Sequence, residues 1–399
     1  MMRDVQRLAL VAVSFTEQRD GVSVYIENLL AQILRLLSKE YTSIYIDVYS
    51  CEPAATVLQT VMREYLHELP PTVLSHVTFI DLCRNDLITK YVVLPVKLRK
   101  NGPYDWIILP NLQPLFLPGM RALSILHDLT YKRACEHFYI STKVYLDVLA
   151  RFRLAVDTSL GYISETTRKD LFQYYPSRRN KHTIYVPNGL PFKMIRYARP
   201  SHADVEAKLT SETINLIFVG RINRLKGFDL VIAVCRRFDQ YLLEHKDISI
   251  TLNVVGKRTS ETEALLSCAK FERVDLRVHG YLNDDMLNQL YRESAFCFFL
   301  SKNEGFGLPL LESAWFRCIP VLSDIPVFRE IMGPDYPLFL AAPSSCEKIL
   351  EYIHKTRSSQ SFRTEVLDMM ERVVETHRDG YERAAHAILD LCCAKEHSK

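Results

Sequence analysis

Apolar and polar positions fall in blocks along this chain rather than alternating residue by residue. Short apolar, β-rich runs predict strands at 8–15, 43–49, 77–82, 106–109, 123–126, 160–163 and 183–186. A second, cleaner set lies at 214–219, 248–255, 276–278, 296–300, 319–322 and 338–340. Stretches with helical spacing separate many of them, as at 22–39 and 137–156, and the tail 361–399 reads as helix. Continuous apolar strands alternating with helices predict parallel sheets covered on both faces. The expected fold class is therefore α/β, with two doubly wound, Rossmann-like domains. Turn-forming and mixed polar residues from Pro187 to Pro200 mark the break between them. The expected domains are 1–190 and 191–375, with 376–399 as a helical tail placed to return to the N-terminal domain.

Length and composition fit this picture. A chain of 399 residues is longer than one core usually serves. Its 13 glycines are about half the usual number, so a glycine is expected where the backbone needs one. A net charge of +3 is too small to argue for nucleic acid on its own, and no nucleic-acid partner is expected. The charge is uneven, however. Between Arg84 and Arg133 eight Lys/Arg residues face three acids, Asp86, Asp105 and Asp128. Such a stretch reads as a solvated surface or as a face for an anionic membrane or phosphate-bearing acceptor. The ten cysteines have no Cys-x-x-Cys and no metal spacing, several lie in apolar runs, and no apolar run reaches the length of a membrane span. A cytoplasmic protein with no metal and no resident cofactor is expected.

Neither half carries Gly-x-Gly-x-x-Gly after its first strand, and there is no Gly-x-x-x-x-Gly-Lys-Ser/Thr. A dinucleotide dehydrogenase and a P-loop nucleotidase are both disfavoured. In open parallel sheets ligands sit beyond the carboxyl ends of strands, so the residues there are the candidates. After the strand at 214–219 come Gly220-Arg221 and then Lys226-Gly227. An Arg fork and a Lys point charge near a helix N-terminus suit a diphosphate. After the strand at 296–300 comes Glu304-Gly305-Phe306-Gly307-Leu308-Pro309, with Glu312 eight positions beyond Glu304. The glycines expose backbone N–H groups, and Pro309 fits the first turn of a helix. Carboxylates repel phosphate, so Glu304 and Glu312 point to hydroxyls, and the whole loop to a sugar nucleotide. The competing readings are a solvated loop acid for Glu304 and a first-turn, dipole-complementing acid for Glu312. A two-carboxylate hydrolase is the rival chemistry, but it needs no phosphate cradle alongside.

Glu304 and Glu312 with Gly-Phe-Gly-Leu-Pro between them match the Glu-x7-Glu signature of retaining glycosyltransferases, and the chain resembles glycosyltransferase family 4. Gly220-Arg221 with Lys226-Gly227, the turn Val186-Pro187-Asn188-Gly189, the loop Ile163–Thr167 and the stretch Ser323–Glu330 extend the match over most of the chain from about Leu123. The resemblance implies a GT-B fold whose two domains face a central cleft, and a nucleotide-sugar donor. It implies that Arg221 and Lys226 hold the donor diphosphate, that Glu304 meets the sugar hydroxyls, and that Glu312 binds the ribose. The amides of Gly305, Phe306, Gly307 and Leu308 would line the sugar and phosphates. His127, just past the strand at 123–126, resembles the motif whose imidazole contacts the sugar near the reacting carbon. Taken alone, His127 reads equally as a capping or core histidine. The family places paired glycines after the first strand, where the acceptor or nucleotide sugar approaches, but here only Gly21 is present and Asp20 replaces its partner.

The resemblance therefore implies a metal-independent retaining hexosyltransferase. GDP-mannose is the first choice of donor, with UDP-, ADP- and dTDP-sugars as the others. The acceptor would be a saccharide or lipid-linked saccharide of cell-surface polysaccharide or lipopolysaccharide synthesis, handled in the cytoplasm at the inner face of the membrane. The alternatives are a catalytically silent scaffold or binding subunit, which would have lost Arg221, Lys226 or Glu304, and a GT-B-fold nucleotide-sugar epimerase.

Overall fold

The computed structural model describes residues 6–17, 20–67, 69–83, 86–244, 248–340 and 346–394. Arg84, positions 18 and 19, and the end of the tail at 395–399 lie outside the described residues. The chain divides into two compact units. One comprises 1–132, 138–191 and 379–399, and the other 133–137 and 192–378.

The first unit holds a seven-stranded parallel sheet: β1 (Gln6–Val11), β2 (Ile44–Cys51), β3 (Val77–Leu82), β4 (Trp106–Leu109), β5 (Ala122–Leu126), β6 (Ser159–Tyr162) and β7 (Thr183–Tyr185). Their order across the sheet is β3-β2-β1-β4-β5-β6-β7, so the direction of winding reverses beside β1. All four residues of β4 are buried, as a strand covered on both faces requires. The strand expected at 8–15 ends at Val11, because the chain turns and the Phe15 N–H donates to the Ala12 carbonyl. The helix expected at 137–156 runs from Ile140 to Val156 after a separate tight turn at Cys135–His137.

The second unit holds a six-stranded parallel sheet: β8 (Thr213–Val219), β9 (Ser249–Val255), β10 (Val274–Gly280), β11 (Phe296–Phe299), β12 (Ile319–Ser323) and β13 (Phe339–Leu340). Its order is β10-β9-β8-β11-β12-β13, with the switch between β8 and β11. β11 reads Phe-Cys-Phe-Phe and is wholly buried. Each of its phenylalanines stabilises the unit by about 2–3 kcal/mol. β10 is longer than the expected 276–278 because it is an edge strand. Its buried and half-buried positions alternate with exposed Asp275, Arg277 and His279, so no continuous apolar run announces it.

The tail is two helices, Gln360–His377 and Gly380–Cys393, rather than one. They break at 378–379, where the chain leaves the second unit and re-enters the first. There Gly380 meets the turn Pro187-Asn188-Gly189. A Cβ on Gly380 would lie 2.1 Å from the Asn188 carbonyl oxygen, so this contact is backbone against backbone. The Tyr381 hydroxyl donates to Asn188 Oδ1 at 3.4 Å. Among the described residues no helix is long and apolar enough to cross a membrane.

Candidate functional site

In the second unit the candidate residues gather at the carboxyl ends of β8 and β11, on either side of the switch point. Two backbone features join the loops. The Lys302 N–H donates to the Leu225 carbonyl at 2.9 Å. Gly227 adopts φ +73 and packs so closely that a Cβ there would lie 1.8 Å from the Leu300 carbonyl oxygen. Asn223 turns the intervening loop by accepting from the Lys226 N–H at 2.9 Å. The result is a short ion pair, Lys226 Nζ to Glu304 Oε1 at 2.6 Å, with each side chain partly open to solvent. Ser301 Oγ also donates to that carboxylate oxygen, at 2.8 Å. Ser323, at the end of β12, donates to the Ser301 carbonyl and holds the loop from behind.

The Glu304 loop runs directly into the helix Leu308–Trp315. Gly307 is the N-cap residue with φ +97, and a Cβ there would meet the Phe328 ring at 2.9 Å. Pro309 lies in the first turn, where it leaves no helical N–H unsatisfied. Phe306 is buried, its ring edge-on to His377 at 5.4 Å, so its side chain serves the core. Glu312 is the fifth residue of the helix, beyond the first turn, which removes the simple dipole role. Its Oε2 accepts from the Tyr291 hydroxyl at 3.1 Å. Burial pushes that hydroxyl's pKa well above its usual value, and the neighbouring Glu312 charge adds to the rise, so Tyr291 acts as a donor. Arg221 follows Gly220 on an exposed loop tied to β9 through the Ile222 N–H and the Lys257 carbonyl. At the far side of this sheet end His279 Nε2 lies 2.8 Å from Asn253 Oδ1.

In the first unit His127 stands just past β5. Its Nε2 donates to the Pro110 carbonyl at 2.7 Å, which leaves Nδ1 as the acceptor nitrogen of a neutral ring. Its carbonyl accepts from Thr167 Oγ1 at 3.0 Å, and the Tyr25 ring meets it edge-on at 4.9 Å. Ser164 caps the helix Glu165–Tyr174 by accepting from the Thr167 N–H, so the Ile163–Thr167 loop fixes the backbone behind His127. Burial lowers the imidazole pKa, while the Pro110 carbonyl and then the charges of Asp128 and Asp20 oppose that shift. Asp20 itself is the N-cap of the helix Gly21–Leu37 and accepts from Ser23 N–H at 3.0 Å and Ser23 Oγ at 2.9 Å. The residue that replaces the family's second glycine thus closes a helix end, beside Gly21, whose Cβ position is open.

A testable consequence concerns pH. Because the folded His127 binds its proton less readily than an unfolded histidine, the unfolded state gains protons first as pH falls. His127 therefore destabilises the fold as pH drops below about 6.5, and has no such effect above it. Melting curves from pH 8 to pH 5 should show a steeper loss for the wild type than for His127→Asn. Parallel curves would show that the ring titrates normally.

Sequence reasoning missed several members of this arrangement. Ser301 and Tyr291 act through hydrogen bonds that no short motif records. Gly256, at φ +146, lies against the Gly220 carbonyl, where a Cβ would be 1.9 Å away. Glycine scarcity was the available signal, since Gly256 directly follows β9.

Residues 203–372 match the family model described as Glycosyl transferases group 1. Over 163 residues, 38% of this chain, the sequence is 32% identical to the serotype-specific mannosyltransferase WbdA of Escherichia coli. The chain spans 18% of that relative's length. It is also 22% identical over 147 residues to an uncharacterized 41.2 kDa protein in the cps region of Klebsiella pneumoniae, covering 37% of each. Among solved structures it is similar to Anabaena Alr3699/HepE in complex with UDP and glucose, with TM-score 0.68 and 14% identity over 97% of this chain and 99% of that one. It is similar too to WaaG, a glycosyltransferase involved in lipopolysaccharide biosynthesis, with TM-score 0.64 and 16% identity over 95% and 98%. The chain has the GT-B fold of these glycosyltransferases.

Proposed function

We propose that this chain, whose residues 203–372 carry the group 1 glycosyltransferase pattern, is a metal-independent retaining hexosyltransferase. It moves a hexose from a nucleotide sugar, GDP-mannose first among the donors, to a saccharide or lipid-linked saccharide acceptor of cell-surface polysaccharide or lipopolysaccharide synthesis. It works in the cytoplasm, at the inner face of the membrane. The observation that carries this reading is the Lys226–Glu304 pair at 2.6 Å beside the glycine-bracketed start of the helix Leu308–Trp315. A cation, a carboxylate and exposed backbone donors within one loop pair suit a ligand that is part phosphate and part polyol. The mannosyltransferase relative supports the choice of sugar.

In this reading the donor separates the pair. Lys226 and Arg221 take the diphosphate, aided by the N–H groups at Gly305–Leu308 and the positive end of the helix. Glu304 turns to the sugar hydroxyls, and Glu312, oriented by Tyr291, accepts from the ribose. The bond from the anomeric carbon to the diphosphate oxygen breaks, and a bond to the acceptor oxygen forms on the same face. The acceptor's proton passes to the leaving phosphate oxygen. Lys226 and Arg221 stabilise the charge that develops there. His127, neutral with Nδ1 as acceptor, is assigned to the sugar near the reacting carbon.

A thermal-shift screen with GDP, UDP, ADP and dTDP tests the donor. Ligands that bind only the folded state raise its melting temperature, and GDP should raise it most. A larger rise with another nucleotide would replace GDP-mannose, and no rise with any would remove the donor site. Turnover of the matching nucleotide sugar should persist in EDTA. Tyr291→Phe should weaken the nucleotide about 10-fold or more by calorimetry, since a hydrogen bond to a charged acceptor is worth about 1.5–3 kcal/mol. Unchanged affinity would separate Glu312 from the ribose.

A further inference from the structure

The first unit exposes an unusual amount of apolar surface in one place. Of the 17 exposed large apolar side chains among the described residues, 12 lie between positions 87 and 156. Ten of them lie on two helical segments and form two stripes. One is on the helical run 87–101, where Ile88, Val92 and Val96 follow one another at four-residue spacing, and Ile88 is 68% exposed. The other is on the helix Ile140–Val156, where Ile140, Val144 and Val148 repeat the spacing, and Ile140 is 75% exposed. Both helices bury their opposite faces, through Leu94 and Leu98 in one and Leu149, Ala150 and Leu154 in the other. The outward stripes are therefore additional to what the core needs.

The stripes meet at one place, where Tyr91 and Tyr145 line the same cavity between the helices. A cavity of about 160 Å³ opens at that junction, with walls from Leu87, Tyr91, Leu94, Leu112 and Tyr145 and one ammonium, Lys90. A single exposed valine or leucine is ordinary on a soluble protein, but a contiguous patch of this extent marks an interaction surface.

The charges decide what the surface takes. Lys90, Lys97, Arg99, Lys100 and Lys143 lie on or beside the stripes. The acids there are engaged: Asp86 accepts from the Thr89 N–H at the start of its helix, and Asp147 pairs with Lys132 and Arg151. Arg121, also part of the basic stretch in the sequence, stacks on Trp106 instead and bonds the Asp105 carbonyl. Lys97 also donates to the Asp81 carbonyl, at 3.0 Å; the other cations frame an apolar face carrying three tyrosines: Tyr91, Tyr145 and the 84% exposed Tyr139. Aliphatic side chains pointing outward, tyrosines around them and lysines at the rim are the composition of a surface that lies in a bilayer interface. A second copy of this chain would bring like charges together.

We propose that the faces of 87–101 and Ile140–Val156 form a membrane-docking surface that inserts its aliphatic stripes into the interface of an anionic lipid bilayer. This rests on the membrane-contact part of the proposed function and deepens it. The apolar stripes supply the binding, and the basic residues select anionic lipid. Burying two stripes of valine and isoleucine outweighs three or four screened surface charges.

Flotation with phosphatidylglycerol/phosphatidylethanolamine vesicles tests it. The wild-type chain should float, and should bind pure phosphatidylcholine vesicles at least tenfold less. The variant Ile88→Asn/Val92→Asn/Ile140→Asn/Val144→Asn should lose at least 50-fold in partitioning. Lys97→Glu/Arg99→Glu/Lys100→Glu should lose less and should no longer discriminate between lipids. A single Ile140→Trp in the otherwise native chain should be quenched by brominated lipids, while the buried Trp106 and Trp315 are not. Absence of flotation by the wild type, equal flotation of the four-site variant, or an unquenched Trp at position 140 overturns the proposal. So does a wild-type dimer by light scattering that the four-site variant dissolves, since the occupant is then a second copy. Each variant should keep the wild-type melting temperature and nucleotide-induced shift. A lost nucleotide shift in the wild type, with flotation retained, counts against the donor site and not against the docking surface.

Discussion

Lys226→Ala should lower kcat by about 10²–10³-fold, the cost of removing one preorganised group from a developing oxyanion, and should leave the fold intact. The two halves of this expectation have different origins. Lys226 Nζ contacts Glu304 Oε1 at 2.6 Å, but both groups are partly solvated. A pair of that kind contributes about 0.2–1 kcal/mol to stability. With the diphosphate in place the same ammonium lies in a drier site beside a leaving group whose charge is growing. The melting temperature should therefore change by only a few degrees, while turnover falls steeply. Glu304→Gln keeps the Ser301 donor but loses the charge. It should reduce kcat comparably and shift the melting temperature just as little. Steady-state kinetics beside a thermal melt reads both. Wild-type turnover by Lys226→Ala would remove the diphosphate from this loop.

Gly227→Ala should lower the melting temperature by about 4–20 °C and abolish nucleotide binding. Two costs add at this position. An L-residue at φ +73 is strained by about 1–2 kcal/mol. The new Cβ would also start 1.8 Å from the Leu300 carbonyl oxygen, so backbone must move. Overpacking of that kind costs a further 1–3 kcal/mol, roughly. In a unit of this size each kcal/mol corresponds to about 2–4 °C. Gly280→Ala separates the two terms. Gly280 also has φ +73, but nothing lies within 4 Å of its Cβ position. Its variant should show the strain alone, less than half the effect, and should keep nucleotide binding. Equal effects at the two positions would mean that the contact with Leu300 does not matter. Because that contact carries Lys226 toward Glu304, loss of binding should follow the backbone shift even though no side chain in the site has changed.

Much of the fold was legible in the chain. β4 and β11 are apolar throughout because both faces of each are covered, and such runs can be read directly from residue type. The edge strand β10 was read three residues long and extends from Val274 to Gly280. Half of its side chains face solvent, so burial leaves only an alternating trace. The single helix read over the tail became two, since the break at 378–379 is set by which unit each half packs into, and both halves have helical periodicity.

The site divides in the same way. Residue types and local spacing determined the candidates: Gly-Phe-Gly-Leu-Pro needs only local backbone geometry to open a helix, and Glu304 and Glu312 follow from eight positions along one loop and helix. Tertiary structure alone decided their partners. Lys226 meets Glu304 from 78 positions away, because β8 and β11 are neighbours in the sheet and Gly227 lets their loops touch. Tyr291 reaches Glu312, and Thr167 reaches the His127 carbonyl. Hydrogen bonds are short and directional, so which groups pair depends on where strands lie side by side. The two apolar stripes were equally invisible as a surface. Valines and isoleucines at helical spacing read as core in any sequence, and only packing shows which helix faces were left outside.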